Sequence, residues 1–215
     1  MKDAIILFTR VPITGKTKTR LMPYFKDYEA KRIHTILLKS IYKNMKETKK
    51  DVFIYINPFN KVNLMEDILG KNQYKEQIGK TLNQKMQNAI FDVLDLGYDR
   101  VILIGSDIIG MDKKYINNAF NILDEKDIVI GPTEDGGYSL IGMKDKIKSP
   151  FDEEKSSHRK VLDNLIERIE KENLSYFLLE ALYDIDDSND FNRFVLNKGK
   201  DIDYFERKIT EEYGI

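Results

Sequence analysis

The chain has 215 residues, 41% apolar and 33% charged, with 35 Lys and Arg against 36 Asp and Glu. That length suits one domain with a large core, and a net charge of -1 argues against nucleic acid or an anionic membrane as partner of the whole surface. There is no cysteine and only two histidines, so disulfides and thiolate chemistry are excluded, and any metal has to be a hard cation on oxygen ligands.

Lys2-Asp3 leads into Ala4 to Phe8, an apolar run too short for a signal-peptide core or a membrane span, so a cytoplasmic protein is expected. The run reads as a first strand, followed by a loop from Thr9 to Phe25. Ala30, Ile33, Leu37, Ile41 and Met45 recur at helical spacing and predict an amphipathic helix over about Asp27 to Lys49. His34 lies on that stripe and reads as a core-edge residue. Val52 to Ile56 is a second strand, stopped by Asn57-Pro58. Leu82, Met86, Ala89, Val93 and Leu94 mark a helix that Gly97 ends.

Val101 to Ile104 is an all-aliphatic strand that closes in Gly105-Ser106-Asp107. A helix carrying Ile116, Ala119, Phe120 and Leu123 follows, with Asp112 as its expected N-cap. The strand from Asp127 runs to Gly131-Pro132 and on into Thr133-Glu134-Asp135-Gly136-Gly137-Tyr138. Tyr138 to Met143 forms a further strand. Ser156 or Ser157 is expected to cap a helix through about Lys171, with His158 structural or exposed. Tyr176 to Tyr183 reads as a last strand, Ser188 as the cap of a short helix with Phe191, Phe194 and Val195, and 198–215 as a charged tail outside the site. Strands alternating with helices predict one α/β domain around a parallel sheet covered on both faces.

Ligands of open α/β sheets bind beyond the carboxyl ends of the strands, so the loops and acids at those ends are the candidates for chemistry. The loop Val11 to Leu21 offers Gly15, Lys16, Lys18, Thr19 and Arg20 where a phosphate-binding turn belongs. It is not a P-loop, because Arg10 stands where that motif needs its first glycine. Lys16, Lys18 and Arg20 can neutralise a di- or triphosphate, or form a solvated basic loop. Asp107 ends one strand, and alternation puts Asp184 and Asp186 on one face of another. If those ends are neighbours, Asp107 and Asp186 can share Mg²⁺ or Mn²⁺ with phosphate oxygens and water. Asp187, Ser188 and Asp190 can instead cap a helix. Asp135 is either a base for an alcohol acceptor or a turn residue, and Gly136-Gly137 permits close backbone approach to a ligand.

The ordered set Lys-Thr-Arg-Leu at 18–21, Ile104-Gly105-Ser106-Asp107, Gly131-Pro132 with Asp135-Gly136-Gly137-Tyr138, and Asp184-Ile185-Asp186 with Asp190 resembles the DUF2064 family, also described as glycosyltransferase-like family 2 or radical-SAM/selenodomain-associated transferase 1. The resemblance runs from Ala4 to about Phe194. It implies a GT-A, nucleotide-diphospho-sugar transferase fold with a mostly parallel Rossmann-like sheet, related to guanylyltransferases of molybdenum cofactor and phospholactate. It further implies Lys18 and Arg20 in the nucleotide-phosphate loop, Asp107 and Asp186 as metal acids, and Asp135 to Tyr138 along the acceptor pocket. Three segments depart from the family pattern: Thr81 to Met86, Ile108-Ile109 after the Gly-Ser-Asp, and Lys155 before Ser156.

The expected activity is metal-dependent glycosyl transfer from a nucleotide-diphospho-sugar to a small-molecule acceptor, with nucleotidyl transfer from an NTP to a phosphorylated acceptor as the alternative. The departures support a third reading, a catalytically silent nucleotide-binding protein. Neither nucleic acid nor a membrane span is expected, and a homodimer is left open.

Overall fold

A computed structural model describes residues 1–152, 161–195 and 202–213. The expected cap at Ser156 or Ser157, and the readings of Lys155 and His158, lie outside the described residues. In chain order the elements are β1 (Asp3–Arg10), α1 (Asp27–Glu47), β2 (Asp51–Asn57), α2 (Val62–Leu69), β3 (Tyr74–Glu76), α3 (Leu82–Asp95), β4 (Arg100–Gly105), β5 (Ile108–Ile109), α4 (Lys113–Ile122), β6 (Ile128–Pro132), β7 (Tyr138–Met143), α5 (Val161–Lys171), β8 (Tyr176–Leu178), β9 (Tyr183–Asp184), α6 (Ser188–Phe194) and α7 (Ile202–Tyr213).

Seven strands form one sheet in the order β3-β2-β1-β4-β7-β6-β8, parallel throughout except that β7 runs antiparallel to both β4 and β6. Strand alternation splits the core in two. Ile5, Leu7, Ile54, Ile56, Ile102 and Ile104 face one side and pack with residues of α1, α2 and α4. Ala4, Ile6, Phe53, Val101, Leu103, Ile128 and Ile130 face the other and pack with α3 and α5. This is the two-sided cover that continuous aliphatic strands require, and the architecture is the expected α/β domain around a mostly parallel sheet.

Three features that bear on the site differ from the sequence expectation. The segment read as one last strand is two: β8 joins the main sheet, whereas β9 pairs antiparallel with β5, setting Ile108 against Asp184. The short helix is capped by Asp187, whose side chain accepts from the Asn189 and Asp190 amides, while Ser188 is its first helical residue. The region read as a charged tail contains α7, whose Phe205 and Ile209 are buried in a third cluster with Ile33 and Leu37 of α1, Ile185, and Phe191 of α6. That cluster anchors the chain on either side of Asp186.

Candidate active site

The chain builds β1, β2 and β3 outward and then returns to lay β4 on the other side of β1. The crevice at the carboxyl ends of β1 and β4 is thus a switch point, where open sheets place their ligands. A hydrogen bond of 2.7 Å from Thr9 Oγ1 to Ser106 Oγ closes the gap between these two strand ends. A cleft of about 650 Å³ opens above them.

The loop after β1 is held from within. Thr17 Oγ1 accepts from the Ile13 amide at 2.9 Å and donates to the Val11 carbonyl at 3.2 Å. Lys18 follows with φ 54° and ψ 44°, a left-handed conformation that non-glycine residues avoid unless their surroundings impose it. Here it turns the lysine inward. The Lys18 side chain is 4% exposed, and Nζ lies 3.1 Å from both Asp107 Oδ2 and Asp186 Oδ1. Burial works against the ammonium, but the two carboxylates outweigh it and raise the Lys18 pKa above its ordinary value.

Asp107, just past the end of β4, is fixed from a second side. His34 of α1 places Nδ1 2.9 Å from Asp107 Oδ1 and Nε2 3.1 Å from the Arg10 carbonyl. The ring thus bridges the Asp107 carboxylate and the Arg10 carbonyl, with the tautomer setting which nitrogen donates. Burial alone would raise the Asp107 carboxyl; Lys18 first, then His34, overcome that and hold it well below the usual carboxylate range. Asp186 is further met by the exposed Arg20 at 3.4 Å. Its backbone amide donates to Asp190, which also accepts from Asp187 N in the α6 capping box. The Ile185 amide donates to the Asp107 carbonyl at 3.1 Å, which ties the two acid-bearing segments together.

Asp184, at the end of β9, lines the same cleft. Burial first, then the negative charges of Asp135 and Asp186, push its carboxyl up to about 7. Asp135 occupies the turn between β6 and β7, where Oδ1 accepts from Thr133 Oγ1 at 2.6 Å and from the Gly137 amide at 2.9 Å. Its geometry is that of a turn residue, and it also faces the cleft, as do Gly137 and Tyr138. Burial raises the Tyr138 phenol to about 12.

The sequence candidates therefore divide. Lys18, Thr19, Arg20, Asp107, Asp135, Gly137, Tyr138 and Asp186 line one cleft. Gly15 and Lys16 do not: they are exposed at the tip of a turn closed by the Lys16 amide on the Ile13 carbonyl, which carries them outward. Gly136 lies behind the wall, its carbonyl accepting from the Leu162 amide. His34, Asp184 and Gln77 are cleft residues that the sequence reading did not assign to the site. His34 looked like one more member of a helix stripe, and its partner Asp107 is 73 residues away. Asp184 alone carried a usable signal, its alternation with Asp186.

Asp107 and Asp186 converge on one point, filled by the Lys18 ammonium. No third His, Asp or Glu completes a metal cluster among the described residues. Two carboxylates alone are a partial donor set, so a divalent cation there would have to draw its remaining ligands from phosphate oxygens and water.

Comparison with known proteins adds three findings. Residues 41–158 match the model of DUF2064, described as an uncharacterized protein conserved in bacteria. The 2-phospho-L-lactate guanylyltransferase of Methanocaldococcus sp. strain FS406-22 is 28% identical over 179 residues, which cover 80% of this chain and 72% of that protein. Its namesake from Methanocaldococcus jannaschii is 28% identical over 176 residues, covering 80% and 73%. Among solved structures, a candidate nucleotide-diphospho-sugar transferase from Desulfovibrio desulfuricans G20 superposes over the whole of both chains with a TM-score of 0.87 and 26% identity. A nucleotidyl transferase from Methanothermobacter shares the fold, with a TM-score of 0.64 at 11% identity over 96% of this chain and 99% of the other.

Proposed function

The chain belongs to the DUF2064 family, and from that premise we propose that this transferase is a nucleotidyltransferase, passing the nucleotidyl group of an NTP, with GTP foremost, to a small phosphorylated acceptor. The observation that carries this reading is the guanylyltransferase likeness, which spans four-fifths of the chain. It favours the nucleotidyl alternative over glycosyl transfer, the activity expected first from the sequence. The Desulfovibrio neighbour's description keeps glycosyl transfer as the competing reading.

In the proposed reaction an acceptor phosphate oxygen attacks the α-phosphorus of the NTP. A new P–O bond forms, the bond to the β-phosphate breaks, and pyrophosphate leaves. An ionised acceptor phosphate needs no proton removed, so the turn geometry of Asp135 is compatible with an acceptor-side wall and requires no base there. A divalent cation, Mg²⁺ or Mn²⁺, held by Asp107 and Asp186 would neutralise charge on the triphosphate.

The chain's own residues supply the rest. His34 orients Asp107, and Asp190 orients the Asp186 backbone. Arg20, exposed beside Asp186, is placed to meet the leaving phosphates. Lys18 balances the acids until phosphate arrives, then shares its charge with the incoming oxygens.

A thermal-shift series with NTPs and NDP-sugars, with and without Mg²⁺, tests the donor class. A ligand at a hundred times its Kd stabilises by about 2.7 kcal/mol. Stabilisation by GTP with Mg²⁺, and none by NDP-sugars, is the expected result; the reverse pattern returns the chain to glycosyl transfer.

A further inference from the structure

At the β3 end of the cleft, Gln77 is held by three hydrogen bonds. Its backbone amide donates to the Ile56 carbonyl at 3.2 Å, continuing the sheet one residue past β3. Its side-chain Nε2 donates at 2.9 Å to the Thr9 carbonyl and at 2.9 Å to the Tyr55 carbonyl. Both partners are carbonyl oxygens, so the nitrogen must face them and the amide cannot be turned over. Both amide hydrogens are used.

Oε1 is thereby left as a fixed acceptor. Arg168 Nε is the one fully buried side-chain nitrogen or oxygen without a partner among the described residues, so Gln77 Oε1 keeps some solvent contact, and Gln77 itself lines the cleft. The segment after it is stiff. A Cβ at Gly79 would stand 2.9 Å from the Lys85 amide nitrogen, and Asn88 Nδ2 bonds the Ile78 carbonyl at 2.9 Å, so the loop is locked against α3.

The neighbourhood suits a flat heterocycle. Leu82 and Met86 offer apolar surface to the cleft, and the Asn83 amide lies beside them. Leu82 is 61% exposed, as a side chain would be if its cover came from a ligand. The phosphate-facing groups Lys18 and Arg20 line another part of the same cleft.

We infer that Gln77 is a specificity-determining residue for the nucleobase: its pinned Oε1 accepts a hydrogen bond from an N–H on the pairing edge of the base, while Leu82 and Met86 contact the ring. The inference rests on the nucleotidyl reading and extends it to how the base is chosen. A guanine, with N–H groups on its ring and exocyclic nitrogen, meets such an acceptor; a purine without donors on that edge leaves it unpaired.

The test compares GTP with purine riboside 5′-triphosphate, which has the same bicyclic ring framework, sugar and phosphates but no N–H on the pairing edge. Binding is measured by calorimetry on the wild-type protein and on Gln77→Met, with tripolyphosphate as a third probe. A lost hydrogen bond of this kind is worth about tenfold in Kd. Wild type should bind GTP at least about tenfold more tightly than the analogue, Gln77→Met should level the two, and tripolyphosphate should bind both proteins alike. Equal affinity of wild type for GTP and the analogue overturns the inference without any variant, and leaves the nucleotidyl reading standing. A GTP preference that persists in Gln77→Met also overturns it. If wild type binds tripolyphosphate but neither nucleotide, the nucleotidyl reading falls and this inference falls with it.

Discussion

Replacing Lys18 by methionine keeps an unbranched side chain only one atom shorter and removes the charge that Asp107 and Asp186 share. Each carboxylate oxygen lies 3.1 Å from Nζ, so the two oxygens are no more than about 6 Å apart. Two like charges at that distance repel by about 3 kcal/mol at an effective dielectric constant near 20. Both carboxylates are nearly half exposed, and solvent screening cuts this roughly in half. The lost attraction to the ammonium adds to the cost, and relief of Lys18 burial offsets part of it. The expected penalty is about 2 kcal/mol, or a melting temperature lower by about 4 to 8 °C for a chain of this size. Chemical denaturation of wild type, Lys18→Met, Asp186→Asn and the double variant forms the assay. Lys18→Met should lose most of its penalty in the Asp186→Asn background, with a coupling of about 1 kcal/mol or more. Mg²⁺ should restore stability to Lys18→Met and leave Asp186→Asn unaffected. Additive effects, or a Lys18→Met penalty below about 0.5 kcal/mol, would refute the shared-cation account.

Arg20→Gln should weaken binding of NTPs far more than of the matching nucleosides, because in the proposed reaction its exposed guanidinium meets the phosphates; equal losses in titration would make it a loop support. Asp135→Asn removes a like charge from Asp184, so in metal-free protein the Asp184 carboxyl should titrate below its value of about 7, as read by carboxyl carbon NMR. Asp3, bonded to Arg100 at 2.8 and 3.0 Å and to Lys50, has a pKa lowered in the folded protein, where these cations overcome the opposing effect of burial. Its stabilisation is therefore complete above the ordinary Asp pKa and lost as pH falls through the folded value, so Asp3→Asn should cost about 3 kcal/mol at pH 7 and progressively less below pH 4 in denaturant melts. Gly142→Ala would set a Cβ 2.8 Å from both Ile102 Cγ1 and Val129 Cγ1, and should destabilise by about 1 to 3 kcal/mol in the same assay.

The parts of this molecule legible in the sequence are those dictated by local pattern. Ala4 to Phe8 and Val101 to Ile104 read as strands because burial on both faces demands continuous aliphatics. The α1 stripe of Ile33, Leu37, Ile41 and Met45 and the Asp112 cap of α4 were visible for the same local reasons. The second helix and β3 escaped because Val62 to Leu69 is only eight residues long and Tyr74 to Glu76 is polar and short. The antiparallel course of β7 is a property of pairing across the sheet, and no residue within Tyr138 to Met143 encodes it alone.

At the site, the acids and cations could be named from their strand-end positions. Their wiring could not. Whether Lys18 turns inward depends on a left-handed backbone, and the Asp107 contacts with His34 and Lys18 span 73 and 89 residues of chain. Gln77 gave no signal, since its role arises from two carbonyls, one of them contributed by β1.

The central claim is that the cleft breaks the α–β phosphate bond of a nucleoside triphosphate. ³¹P NMR of the wild-type protein with GTP, Mg²⁺ and 2-phospholactate as a trial phosphorylated acceptor, beside a parallel sample with GDP-sugar and the same acceptor, tests it most directly. The account predicts pyrophosphate and a new diphosphate diester from GTP, with the GDP-sugar unchanged. Release of GDP from the sugar donor, with GTP left intact, would contradict it.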